Sequence, residues 1–245
     1  MSTFTYNNIL FLDSLTQQLP YPENISSDII AVGGRISKEI LLDAYSKGIF
    51  PWYSHPPVQW YSPFERFVLF PDSLHCSKSL LKTIKKNIFT VTVDANFKEV
   101  IEQCSFISRP SQNGTWITSD IIKHYTALHK SGYAHSVEVW SNDRLCGGLY
   151  GVAVGKIFCG ESMFSLVDDA SKVGFIALAS MLFNAGYKLI DCQVYTANLE
   201  RFGAVTIERT DYLQMLKEYG HFVSENDWQK KYSYNSQDVL DFLHK

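Results

Sequence analysis

Between Ser37 and Gly48 the apolar residues Ile40, Leu41 and Ala44 recur at helical spacing, which predicts a short helix that Ser37 caps and Gly48 ends. The stretch that follows, IFPWYSHPPVQWYSPFERF, has neither a helical nor an alternating period. Pro51, Pro56, Pro57 and Pro63 break any regular element there, while Phe50, Trp52, Tyr53, Trp60 and Tyr61 supply large apolar bodies. Such an aromatic loop is either core filler or a platform on which a ligand stacks. Near residue 70 the texture changes, and this divides the chain into a small N-terminal domain, 1–70, and a larger domain, 71–245.

In the larger part, strand and helix patterns alternate. Ser77 caps a helix to about Asn87, Phe89 to Val93 is a strand, Asp94 caps a helix to Cys104, and Thr118 starts another that ends at Ser131 and Gly132. His135 to Trp140 and Leu145 to Val154 form a hairpin around a polar turn, and a second turn at Gly155 and Lys156 leads into IFCGESMFS. Asp169 caps the apolar helix Ala170 to Asn184, Gly186 ends it, and KLIDCQV is a strand. The fold class is mixed, α+β or α/β, with a largely antiparallel sheet.

Composition narrows the classes. Hydrophobic residues at 46%, aromatics at 14% and charged residues at only 19% exclude disorder as the general state. The longest apolar run, Val173 to Tyr187, is too short for a membrane span and is interrupted by Ser180 and Asn184, so it reads as a buried helix. The N-terminus lacks the layout of a secretory signal, which makes the cytoplasm the expected location. Five cysteines without a CxxC pair fit reduced thiols better than disulfides or a zinc site.

The most informative chemistry lies in LIDCQV. A period of two puts Ile190, Cys192 and Val194 on one face and leaves Asp191 and Gln193 on the other, where acid and amide can bond each other or a common ligand; the plainer reading makes Asp191 an exposed edge residue. Glu161 is a lone carboxylate in an apolar segment, suited to bind a cation or to cap a turn. Lys78, Lys82, Lys85 and Lys86 place a basic stripe on one helix of a chain whose formal net charge is −3, either a solvated face or a phosphate contact. His124 and His129 are five apart and cannot form an HExxH metal site, GESMF lacks the last glycine of a hydrolase elbow, and no nucleotide or coenzyme A phosphate loop is present. A cysteine hydrolase built on Cys192 would need an activating histidine that no spacing supplies.

Eight strings in series, AVGGRIS (Ala31 to Ser37), LLDAYSKGIFPWYS (Leu41 to Ser54), NGTWIT (Asn113 to Thr118), GYAHSVEVW (Gly132 to Trp140), GGLYGVAVG (Gly147 to Gly155), FCGESMFS (Phe158 to Ser165), DASK (Asp169 to Lys172) and LIDCQV (Leu189 to Val194), resemble the leucyl/phenylalanyl-tRNA protein transferase family. The resemblance implies a small aromatic N-terminal domain joined to a catalytic domain similar to the GNAT acyltransferase fold. The implied reaction moves Leu, Phe or, less well, Met from aminoacyl-tRNA to the N-terminal Arg or Lys of a protein, marking it for degradation by the N-end rule, with no metal or organic cofactor. It further implies that Trp52 and Trp116 meet the terminal adenosine of tRNA, that Lys78, Lys82, Lys85 and Lys86 contact the tRNA, and that Asp191, Gln193 and Glu161 form the catalytic centre. Phe158, Met163, Phe164 and Phe175 are the expected lining of an aminoacyl pocket.

The chain departs from the family where TANLERFGA, Thr196 to Ala204, replaces the common TDHLASLGA, with Ala197, Asn198 and Arg201 for Asp, His and Ser. Beyond Tyr219 no pattern matches. Two other readings are a tRNA-binding module without catalysis and a related transferase with a different donor or acceptor.

Overall fold

A computed structural model describes residues 4–6, 9–13, 18–53, 55–107 and 115–244; Ser54 of the aromatic loop and Asn113 and Gly114 of NGTWIT lie outside the described residues. The elements in chain order are β1 (Phe4–Tyr6), β2 (Ile9–Leu12), β3 (Ile29–Gly33), α1 (Lys38–Ser46), β4 (Phe50–Pro51), β5 (Gln59–Tyr61), β6 (Glu65–Leu69), α2 (Lys78–Lys85), β7 (Thr90–Val93), α3 (Phe97–Phe106), α4 (Ser119–Lys130), β8 (Ala134–Ser141), β9 (Arg144–Val154), β10 (Ile157–Ser165), α5 (Ala170–Asn184), β11 (Leu189–Gln193), α6 (Ala197–Glu200), β12 (Val205–Glu208), α7 (Arg209–Tyr219), α8 (Trp228–Lys231) and α9 (Ser236–Leu243).

Two sheets form. A small one has the order β1-β2-β3-β5-β4, and a seven-stranded one the order β12-β6-β11-β10-β9-β8-β7. The large sheet is antiparallel at every pairing except β10 with β11. β6, which precedes residue 70, is a strand of this large sheet. Both of its faces are buried. Val100, Tyr125, Val152 and Phe164 belong to a core shared with the N-terminal sheet, while Val137, Leu149, Phe158 and the residues of α5 form a second core on the opposite side. That explains why α5 is apolar all round and lacks an amphipathic stripe.

Local signals account for several ends. The Ser37, Ser77 and Thr118 side chains accept from Ile40 N, Leu80 N and Ile121 N and so cap α1, α2 and α4. Gly48 has φ +69, and a Cβ there would stand 2.8 Å from Leu213 Cδ2, so the residue both ends the α1 turn and lets α7 close in.

Two expected caps are corrected. Asp94 takes φ 54, and its carboxylate accepts from Ser136 N at 2.8 Å and meets His135 Nδ1 at 2.8 Å. The strand partner β8 thus claims the side chain, and α3 begins only at Phe97. Asp169 sits at the start of α5 with φ 66 but turns to Thr83 Oγ1 and Lys172 Nζ; Ser165 Oγ accepts from Ser171 N in its place.

The tail after Tyr219 is packed. Trp228 is buried, stacks on His135 with centroids 3.6 Å apart and leans on Phe158 at 5.9 Å. No helix among the described residues is long and apolar enough to cross a membrane.

Candidate active site

The site opens where two strands part. β10 and β11 run parallel only over Ile157 to Cys159 against Leu189 to Asp191. Each then breaks register with its other neighbour, β10 between Gly160 and Ser162 and β11 between Asp191 and Gln193. Bulges bend and re-aim a strand, and here both fall at the same level. A cavity of about 520 Å³ lies at the gap, lined on the side of the N-terminal core by Phe50, Trp52 and Trp116 and on the side of α5 by Phe158, Met163, Phe175 and Leu178.

Glu161 stands at the gap. Its Oε1 accepts from Tyr45 OH at 2.5 Å and from Gln193 Nε2 at 2.8 Å, and its Oε2 accepts from Tyr125 OH at 3.3 Å. Burial pushes this carboxyl up to about 7, against the pull of those hydrogen bonds. Burial and the adjacent carboxylate hold the Tyr45 and Tyr125 hydroxyls well above their ordinary range, so both remain protonated donors.

Asp191 is fully buried, and four donors fill its two oxygens. Oδ1 accepts from Arg66 Nε at 2.8 Å and Gln193 N at 2.8 Å; Oδ2 accepts from Arg66 Nη2 at 2.5 Å and Tyr212 OH at 2.9 Å. The reading of Asp191 as an exposed edge residue is therefore corrected. Gln193 adopts φ 64, and its side-chain amide reaches Glu161. Acid and amide do meet, with the contact between them running through the Gln193 backbone and their side chains serving different partners.

Of the expected pocket residues, Phe158, Met163 and Phe175 line the cavity, whereas Phe164 does not. A strict period of two would put Phe158 and Phe164 on one face, but the bulge at Gly160 to Ser162 exchanges the alternation and sends Phe164 into the opposite core. Trp52 and Trp116 both face the cavity, and Tyr61 braces Trp52 edge to face at 5.2 Å. The aromatic loop is thus divided: Trp60 is fully buried with its Nε1 donating to Gly33 O, and Trp52 is left to the pocket. Lys78, Lys82, Lys85 and Lys86 are exposed along α2 and its C-terminal cap while Leu80 and Ile84 point inward. Burial pushes the Cys192 thiol up, and the residue faces the α5 core, a poor setting for a nucleophile.

Arg66, Tyr45, Tyr125 and Tyr212 were not legible as site residues. Arg66 did carry a signal, a lone charge in the otherwise apolar RFVLF; the tyrosines sit at helical spacing with core residues and look like packing.

A family model for leucyl/phenylalanyl-tRNA protein transferase matches residues 68–217, and a model for that family's N-terminal domain matches 34–63. A relative from Hydrogenovibrio crunogenus named leucyl/phenylalanyl-tRNA--protein transferase is 49% identical over 209 residues, covering 82% of each chain. Relatives of the same name from Myxococcus xanthus and Flavobacterium johnsoniae are 49% and 50% identical, covering 84% and 81% of this chain and 89% and 94% of their own. Likeness to solved structures is remote: L-PGS from Bacillus licheniformis aligns at a TM-score of 0.38 and 10% identity over 87% of this chain and 70% of its own. Matched along both of its parts and close to half identical to these relatives, the chain belongs to the leucyl/phenylalanyl-tRNA protein transferase family and is an aminoacyltransferase.

Proposed function

We propose that this enzyme transfers Leu, Phe and, less well, Met from aminoacyl-tRNA to the N-terminal Arg or Lys of acceptor proteins, marking them for N-end rule degradation in the cytoplasm. The observation that carries this reading is the Glu161 and Gln193 centre at the strand gap, set between an aromatic wall and an apolar floor. Trp52 and Trp116 offer the terminal adenosine faces to stack on, worth about 1 to 3 kcal/mol per base, and the α2 lysines offer charge to the tRNA phosphates. Phe158, Met163 and Phe175 receive the aminoacyl side chain; such a pocket separates side chains by about 1 to 3 kcal/mol per methylene.

The chemistry asked of the protein is small. The acceptor α-amine attacks the ester carbonyl, the bond to the ribose oxygen breaks, an amide forms, and the amine proton leaves while the ribose hydroxyl regains one. An ester is already activated, and an α-amine of pKa about 7.7 to 8.0 is partly deprotonated at neutral pH, so orientation supplies most of the rate. Gln193, whose Nε2 is engaged by Glu161, keeps its carbonyl oxygen for the incoming amine, and Glu161, near 7, is matched to take up a proton at neutral pH. We read Asp191, whose oxygens are filled by Arg66, Tyr212 and the Gln193 backbone, as orienting Gln193 and not as the base. The cationic N-terminal side chain of the acceptor suits the anionic form of Glu161.

The test is transfer of labelled Leu or Phe from charged tRNA to peptides that differ only in their first residue. Labelling restricted to Arg- and Lys-initiated peptides is expected. Labelling of other first residues, or transfer only from other charged tRNAs, points to a related transferase with different substrates, and binding without transfer points to a tRNA-binding module.

A further inference from the structure

Arg66 is buried to 1% exposure on β6, the strand next to the β12 edge of the large sheet, between the exposed Glu65 and the buried Phe67, Val68 and Leu69. An apolar side chain would be easier to bury there, because a buried ion pair seldom outweighs a well-packed hydrophobic replacement. Its presence calls for another role. On β6, Arg66 shares a face with Val68, which pairs with Asp191, so the guanidinium reaches Asp191 along the sheet diagonal. All three nitrogens of the fork donate: Nε and Nη2 take the two oxygens of Asp191, and Nη1 donates to Gly48 O at 3.1 Å. The rings of Phe50 and Tyr212 clamp it at 4.9 and 4.3 Å. Only a planar, multiply donating cation makes these contacts together.

What this clamp controls is two residues along the chain. Asp191 Oδ1, fixed by Arg66 Nε, accepts from Gln193 N, and that bond closes the bulge in which Gln193 takes its φ of 64. The turned backbone in turn delivers Gln193 Nε2 to Glu161. A non-glycine residue holds such a backbone only where its surroundings impose it.

We propose that Arg66 is a positioning residue of the transfer centre, acting through Asp191 to hold Gln193 against Glu161. The proposal rests on the aminoacyl transfer reading above. Arg66→Lys keeps the charge and loses the fork; it is expected to lower the single-turnover rate of transfer at least tenfold while affinity for charged tRNA stays within about threefold. Arg66→Gln combined with Gln193→Ala is expected to lose no more than Gln193→Ala alone, since residues that act as one unit are not additive. In a crystal structure of Arg66→Lys the Gln193 amide is expected to have left Glu161.

Full transfer by Arg66→Lys, multiplying effects in the double variant, or a Gln193 amide still seated on Glu161 would each overturn the proposal. Should the single variants fail to fold, Arg66→Met with Asp191→Leu removes both charges so that neither is stranded, and this pair is expected to fold and to transfer as poorly as Gln193→Ala; normal transfer by it also overturns the proposal. If the wild-type protein moves neither Leu nor Phe to any peptide, the substrate reading fails, and the Gln193 to Glu161 contact in the Arg66→Lys crystal still decides the role of Arg66.

Discussion

Glu161 sets a conflict between stability and activity at a single residue. Its carboxyl is raised from 4.5 to about 7 on folding, so the folded protein binds a proton there that the unfolded chain has already released. Stability is therefore fully present below about pH 4.5 and declines as pH rises to about 7, by up to about 3 kcal/mol at 1.36 kcal/mol per pKa unit. Glu161→Gln removes the titration, and urea unfolding is expected to find it more stable than wild type at pH 8, with the gap closing toward pH 5. The same variant is expected to lose transfer by at least a hundredfold in a single-turnover assay. Tyr45→Phe deletes the nearer hydroxyl donor, which raises the carboxyl further, so the acid limb of the pH–rate profile is expected to move to higher pH. At this scale the sequence exposed the acid, the amide and Glu161 by their polar character in apolar strings. The tyrosines that hold Glu161 and the arginine that fills Asp191 come from segments 36 to 125 residues away, and no local pattern marks a contact of that range.

Elements were read well where the governing interaction is local. The Ser77 and Thr118 caps and the hairpin of β8 and β9 all depend on residues within a few positions of one another, and the structure has them where the sequence puts them. Asp94 and Asp169 failed as caps because distant partners, β8 for one and Thr83 of α2 for the other, bind their side chains. The bulge in β10 was illegible for a related reason: it answers to the neighbouring strands, and it is what sent Phe164 away from the pocket. The basic helix gives a prediction of its own. Removing charge at Lys82 and Lys85 is expected to weaken tRNA binding at low salt and to flatten the plot of log affinity against log salt by about 0.7 to 0.9 per lysine, measured by filter binding or anisotropy across a salt series.

Across the whole molecule, the part of the chain beyond the family match proves structural. Trp228 is buried against His135, Tyr232 and Phe158, and Phe158 lines the cavity on its other side. Trp228→Ala is expected to cost about 3 to 5 kcal/mol in urea unfolding.

The bond from Arg66 to Asp191 joins positions 125 residues apart, and Tyr212 completes it from α7. During synthesis, then, the ribosome must release the chain past residue 212 before the centre can close. A chain stopped before residue 212 lacks the Tyr212 bond to Asp191 and is expected to transfer less than the full chain in a single-turnover assay. Because contacts so distant in the chain form slowly, maturation of the enzyme is expected to lag behind its translation.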